Sequence, residues 1–238
     1  TGKQLHSVKD SLNEDPYAFS FFSQGLHTVN SVNELIYIDM DKNINKLSSD
    51  MKTTTTLIKH TDTTWEPQCV YCLPSSGDLL VGMCTDYPST GKVMRYDNTG
   101  KHKQTIPHDD NTPHDLYKYP WFITENNNGN VLVSDLYGHA VVVTSGEGAY
   151  RFSYTGPPSG SRLDPLGICT DVMSHILVID YRTSAVHLLD RDGQFLSYVF
   201  TRQTPGMYYT IYCLSYDVTT HAVCVRSYDN NKMSVCLH

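Results

Sequence analysis

Pro165-Leu166-Gly167-Ile168-Cys169-Thr170-Asp171-Val172-Met173-Ser174-His175-Ile176-Leu177-Val178-Ile179-Asp180 sets two short apolar runs on either side of a polar turn. A loop at 181–184 leads to Ala185-Val186-His187-Leu188-Leu189. The turn Asp190-Arg191-Asp192-Gly193 then leads to Gln194-Phe195-Leu196-Ser197-Tyr198-Val199. Four β-branched or aromatic runs separated by Gly, Asp and Ser turns are the pattern of an antiparallel meander. The Gly that closes the Asp190–Gly193 turn suits a left-handed residue, a conformation that a Cβ penalises.

The unit recurs along the chain. Asp97-Asn98-Thr99-Gly100 repeats the turn, and Ser145-Gly146-Glu147-Gly148 repeats it more weakly. The second strand returns as Leu35–Asp39, Leu79–Met83, Val131–Asp135 and Ala222–Arg226, so Asp39, Met83, Asp135, Asp180 and Arg226 serve as anchors spaced by 44, 52, 45 and 46 residues. A period of about 40 to 50 residues with about four strands per unit predicts an all-β fold, a β-propeller of four-stranded antiparallel blades. A helical repeat would show a 3.6-residue period, which is absent. Five blade equivalents tile residues 1–238 as a single domain. The last copy stops after its third strand, and Lys3–Val8 resembles the run that follows the Asp97–Gly100 turn. Residues 1–10 therefore read as a strand of a split or truncated blade, and pairing it with the C-terminal strands would leave no open edge at the seam. The alternative is an incomplete six-bladed ring.

Composition narrows the function classes. Eighteen Lys and Arg stand against 25 Asp and Glu, a net charge of −7, whereas nucleic-acid-binding domains tend to be strongly basic. No apolar run approaches the 18 or so residues of a membrane span. Cys69-Val70-Tyr71-Cys72 has metal-ligand spacing, but on a strand residues i and i+3 face opposite sides, and no second pair follows. The seven cysteines read as small core residues, although Cys213, Cys224 and Cys236 fall on three strands of one unit. Together with the absence of an N-x-S/T sequon, this predicts a reducing, cytoplasmic location. The lack of an initiator Met or leader predicts an excised domain.

At Pro165–Asp171, His175–Asp180 and Val186-His187-Leu188-Leu189-Asp190 the chain resembles the NHL repeat. Tyr119-Pro120-Trp121-Phe122-Ile123-Thr124-Glu125-Asn126, Arg151-Phe152-Ser153-Tyr154-Thr155-Gly156-Pro157-Pro158 and Gln194–Tyr198 are similar to the C-terminal propellers of invertebrate tripartite-motif proteins. In that family a RING zinc module, B-boxes and a coiled coil precede a propeller that recruits a target, and the propeller is usually six-bladed. The resemblance implies a non-enzymatic protein-interaction module, the target-recognition propeller of a tripartite-motif ubiquitin ligase. Its partner would be a protein, with oligomerisation through an upstream coiled coil. The chain carries no RING or B-box ligand pattern, and Met83 and Arg226 depart from the strand-end Asp. Two other classes stay open: an RNA-binding propeller, disfavoured by the acidic charge, and a metal-dependent hydrolase or lyase. For the last, Asn30, Glu125 and Asp171 near the first strands are the candidates.

No linear catalytic motif appears: there is no H-E-x-x-H, and Ser159-Gly160-Ser161 lacks a strand–turn–helix setting. Catalytic residues, metal ligands and cofactors are accordingly read as none. The repeated Asp39, Asp135 and Asp180 read as structural, their carboxylates accepting backbone N–H bonds from adjoining loops. His108-Asp109-Asp110-Asn111-Thr112-Pro113-His114-Asp115 is the densest polar cluster and reads as a solvated loop. A propeller places the loops between second and third strands, and those joining blades, on one face. That face gathers Lys42, Tyr137, His139, Tyr181 and Arg182, with Tyr228 and Asp229. The blade connections add Trp65, Lys118, Tyr119, Arg202, Tyr208 and Tyr209. Tyr, Trp and Arg dominate binding hot spots, so this face is the expected docking surface.

Overall fold

A computed structural model of the chain describes residues 26–86, 89–107, 116–204, 211–227 and 233–236. Blade one comprises β1 (His27–Val29), β2 (Leu35–Ile38), β3 (Ile44–Leu47) and β4 (Thr54–Ile58). Blade two comprises β5 (Glu66–Cys72), β6 (Leu79–Cys84), β7 (Gly91–Tyr96) and β8 (His102–Ile106). Blade three comprises β9 (Pro120–Glu125), β10 (Val131–Asp135), β11 (Ala140–Thr144) and β12 (Tyr150–Tyr154). Blade four comprises β13 (Pro165–Thr170), β14 (Ile176–Asp180), β15 (Ala185–Leu189) and β16 (Phe195–Phe200). Blade five contributes β17 (Ile211–Asp217), β18 (Ala222–Ser227) and β19 (Met233–Cys236). Each sheet is an antiparallel meander in chain order, and the described residues contain no helix. The fold is the β-propeller read from the repeat, with five blade equivalents.

The first strands pack against one another in succession, β1 on β5, β5 on β9, β9 on β13 and β13 on β17, so they form the inner ring. The second and third strands are sandwiched between neighbouring blades. This explains why Ile176-Leu177-Val178-Ile179-Asp180 and Ala140-Val141-Val142-Val143-Thr144 are buried at every position rather than alternating. The fourth strands are outer edges, and β16 exposes Leu196 and Tyr198. Between blades lie three apolar layers, of which the largest joins blades three, four and five through Leu163, Ile179 and Phe200.

The turns between third and fourth strands behave as the repeat requires. Gly100 and Gly193 have φ of 87° and 85°, and their amides close the turns onto the Asp97 and Asp190 carbonyls. A Cβ at Gly193 would drive into the Phe152 ring on the outer strand of the preceding blade, so the glycine serves both the turn and the seam. Lys3–Val8, His108–Asp115, Tyr208, Tyr209, Tyr228 and Asp229 lie outside the described residues.

Candidate functional site

The strand-end aspartates tie the loop face together. At the end of β10, Asp135 accepts bonds from the backbone N of Lys118 (2.6 Å), Tyr119 (2.8 Å) and Gly138 (2.9 Å). Asp180, at the end of β14, accepts from the backbone N of Asp164 (3.0 Å) and Arg182 (3.2 Å) and from Thr183 Oγ1 (2.6 Å). Asp39 accepts from the backbone N of Asn43 (2.8 Å) and from Asn45 Nδ2 (2.6 Å). In blades three and four each carboxylate thus clamps both its own loop and the connection that enters its blade. The structural role read for these residues holds.

Those clamps fix the polar groups of a cleft between blades three and four. His139 and Asp164 are held by the loops that Asp135 and Asp180 secure, and His139 Nδ1 meets Asp164 Oδ1 at 2.8 Å. Asp164 Oδ2 accepts from Arg182 NH2 at 2.9 Å, and Arg162 Nε stands 3.7 Å from Oδ1. The Asp164 side chain is partly buried at 17% exposure, whereas that of His139 is 32% exposed and lines the cleft. Leu136, Leu166, Tyr137, Tyr181 and Tyr212 supply apolar walls around about 270 Å³. His139 sits at φ 55°, but Ser184 does the same in the next blade (52°), so this conformation belongs to the loop rather than to the chemistry.

Tyr137 also borders a second hollow of about 410 Å³, lined by Glu66, Gln68, Asp86 and Trp121 among others. Tyr119 bridges the two walls, its ring centroid 4.7 Å from Tyr137 and 5.1 Å from Trp121, and its hydroxyl donates to Gln68 Oε1 at 2.9 Å. Burial pushes the Cys84 thiol up to about 11 and the Cys69 thiol up to about 12, so neither supplies a thiolate nucleophile near neutrality.

The sequence placed Tyr137, His139, Tyr181, Arg182, Lys42, Lys118, Tyr119 and Arg202 on one face, and the topology sets all eight in its loops. They do not form one patch. Lys42 pairs with Glu66 at 3.2 Å, Lys118 is exposed, and Arg202 donates to Ser184 Oγ away from the cleft. The sequence reading missed Asp164, Arg162 and Tyr212. It also named Asn30, Glu125 and Asp171 as a channel-mouth set, and this is corrected: they lie at the turns of the opposite face. Asn30 accepts from the backbone N of Val32 and Glu34, Asp171 from Met173 and His175, and Glu125 pairs with Arg95 at 3.2 Å.

Superposition relates the chain to several solved propellers. It is similar to virginiamycin B lyase from Staphylococcus aureus, with 17% identity over 91% of this chain and 67% of that one and a TM-score of 0.65. It is also similar to a putative gluconolactonase, with 18% identity over 89% and 75% and a TM-score of 0.63. Regucalcin from Agrobacterium tumefaciens, described as a calcium-binding protein, gives 15% identity over 90% and 71% and a TM-score of 0.61. No protein-family model matches the chain, and no curated protein matches it by sequence. At these identities the likeness shows the propeller fold.

The expectation of a non-enzymatic interaction module, and with it of target recognition for a ubiquitin ligase, is corrected here. Several of the propellers on which the chain superimposes are described as a lyase or as gluconolactonases. The expectation rested on the NHL resemblance and on the absence of a linear motif, and a linear motif is a poor guide in this fold. A propeller assembles polar groups from loops of different blades, as His139 and Asp164 illustrate. Among the described residues no side-chain set fits a calcium site. Among the described residues no three His, Cys, Asp or Glu side chains come together, and Glu66 at the second hollow is matched by Lys42.

Proposed function

We propose that this propeller is a hydrolase or lyase that acts on a small carbonyl compound in the His139 cleft, with His139 as general base. The observation that carries the reading is the 2.8 Å contact between His139 Nδ1 and the Asp164 carboxylate in the wall of an apolar cleft. A carboxylate on Nδ1 favours the tautomer with the proton there, which leaves the Nε2 lone pair as the base. Arg182 and the clamped backbone hold Asp164 in place, and Arg162 brings a cation to the rim, where it holds a substrate oxygen as the substrate binds.

Lactone hydrolysis and elimination both begin with such a base. In hydrolysis Nε2 takes a proton from water as its oxygen attacks the carbonyl carbon, and the imidazolium returns the proton to the departing alkoxide. In elimination Nε2 takes a proton from the carbon beside the carbonyl, and the electron pair forms C=C as the β C–O bond breaks. The names of the structural relatives support both chemistries, and one lyase structure is described as catalytically inactive with a histidine changed to alanine. The NHL resemblance supports reading the blades as NHL-type repeats. That Cys69, Cys72, Cys84 and Cys169 remain thiols supports a reducing compartment.

The test is a panel of aryl esters, sugar lactones and macrocyclic esters. Proton release would report hydrolysis, and ultraviolet absorbance of a new conjugated C=C would report elimination. Turnover by the native chain that His139→Asn abolishes, with circular dichroism unchanged, is the expected result. Equal turnover by the two proteins would overturn the reading.

A further inference from the structure

A second cleft lies between blades one and two. Lys42 follows β2 much as His139 follows β10, and both have positive φ, 63° and 55°. The connection from β4 to β5 supplies Asp62 and Trp65 to its wall. Its chemistry differs from that of the His139 cleft. His60 Nε2 is engaged by the Trp65 carbonyl oxygen at 3.2 Å, so no His–carboxylate pair forms. Asp62 Oδ1 accepts the backbone N of Thr64 at 2.9 Å. Lys59 and Lys92 line the space, and Trp65, Met83 and Met94 give it an apolar floor.

Lys92 is the informative residue. Its Nζ stands 3.9 Å from the centre of the Trp65 ring, and among the described residues it makes no ion pair. Burial lowers its pKa, and the Asp62 charge only partly opposes that. A partly desolvated ammonium held over a ring face presents its N–H donors to the cleft, where a bound anion would offset the lost water.

We propose that this second cleft binds a small amphipathic anion, its acid group on Lys92 and Lys59 and its apolar part over Trp65 and the two methionines. The cleft measures about 170 Å³, roughly the room of half a dozen waters at ~30 Å³ each, which suits a single ring or short chain bearing a carboxylate or phosphate. The thioethers of Met83 and Met94 adapt to such a group, and the indole offers it a flat face. This site is independent of the His139 reading.

Phenyl phosphate is the probe, followed by calorimetric titration and tryptophan fluorescence, with inorganic phosphate and benzyl alcohol as arms that keep only the charge or only the ring. Phenyl phosphate should bind at least roughly tenfold tighter than either arm. Lys92→Met, which keeps the alkyl stem over Trp65, should weaken it by about tenfold or more, while His139→Asn leaves it unchanged. Equal binding of inorganic phosphate or of benzyl alcohol would overturn the proposal, as would full binding by Lys92→Met. Should Lys92→Met melt early, the exposed Lys59→Gln decides instead: weaker binding supports the site, and unchanged binding overturns it.

Discussion

His139 and Asp164 stand 25 positions apart, on loops of different blades, yet their side chains meet at 2.8 Å. Neither loop makes this contact by its own preference. Asp135 accepts the Gly138 amide just before His139, and Asp180 accepts the Asp164 amide, so two repeat anchors bring the pair together. A base positioned this way contributes about 10²–10⁴ in rate. His139→Asn should therefore lower kcat by at least about 10² on whichever ester or lactone the chain turns over, with an unchanged melting temperature. Arg162→Gln, at the rim, should act more on KM than on kcat. Steady-state kinetics of the two variants separates these roles, and a reversed pattern would reassign them.

The clamp itself is testable through stability. Asp180 is fully buried, and its two oxygens serve the Asp164 and Arg182 amides and the Thr183 hydroxyl. Asp180→Ala leaves two backbone donors without their acceptor, at about 1–3 kcal/mol for each group that stays buried. A loss on the order of 3 kcal/mol in denaturant unfolding is expected, together with reduced activity because Asp164 loses its anchor. Asp39→Ala should cost less, since Asp39 is only half-buried and its neighbours Asn43 and Asn45 can turn to water.

The blades were legible because each obeys one local grammar of strand, turn and strand-end aspartate. The cleft was legible only in part. His139 and Arg182 could be placed on the loop face from the repeat, but Asp164 could not, because its role depends on a neighbouring blade. A signal was present all the same. Asp135 clamps Tyr119, and Asp180 clamps Asp164, in both cases 16 positions upstream and just before a strand-opening proline. Aligning Tyr119-Pro120 with Asp164-Pro165 would have shown a carboxylate where the other blade has an aromatic ring. The opposite-face residues Asn30 and Asp171 misled because an Asx turn cap and a channel ligand are the same residue types. Only the backbone donors around them distinguish the two.

The turn glycines give a prediction on backbone strain. Gly193 lies at φ 85° and faces Phe152, so Gly193→Val should lose at least about 1–2 kcal/mol through the left-handed penalty, plus the clash. Met51 occupies the matching turn of blade one at φ 60°. Met51→Gly should be neutral to stabilising by up to about 1 kcal/mol, because the same penalty is relieved. Paired thermal melts of the two variants check the sign, and parallel shifts would contradict the repeat equivalence.

Below the cleft, His187 is fully buried with Nδ1 2.9 Å from the Tyr154 hydroxyl, Nε2 4.0 Å from Asp180 Oδ2, and the Tyr198 ring edge-on at 5.0 Å. Burial lowers its pKa, and the Asp180 charge offsets this only in part. The folded chain therefore resists protonation at a pH where the unfolded chain, with a histidine pKa of about 6.5, accepts it. Because the unfolded state binds the extra proton, stability from this group is complete above about pH 6.5 and declines as pH falls through the lowered folded-state value. His187→Gln keeps a hydrogen-bonding partner for Tyr154 but cannot titrate. Unfolding free energies measured from pH 7.5 to 5 should fall more steeply for the native chain than for His187→Gln. Parallel curves would mean that the imidazole takes up its proton in place as readily as in the unfolded chain, with Asp180 balancing the burial.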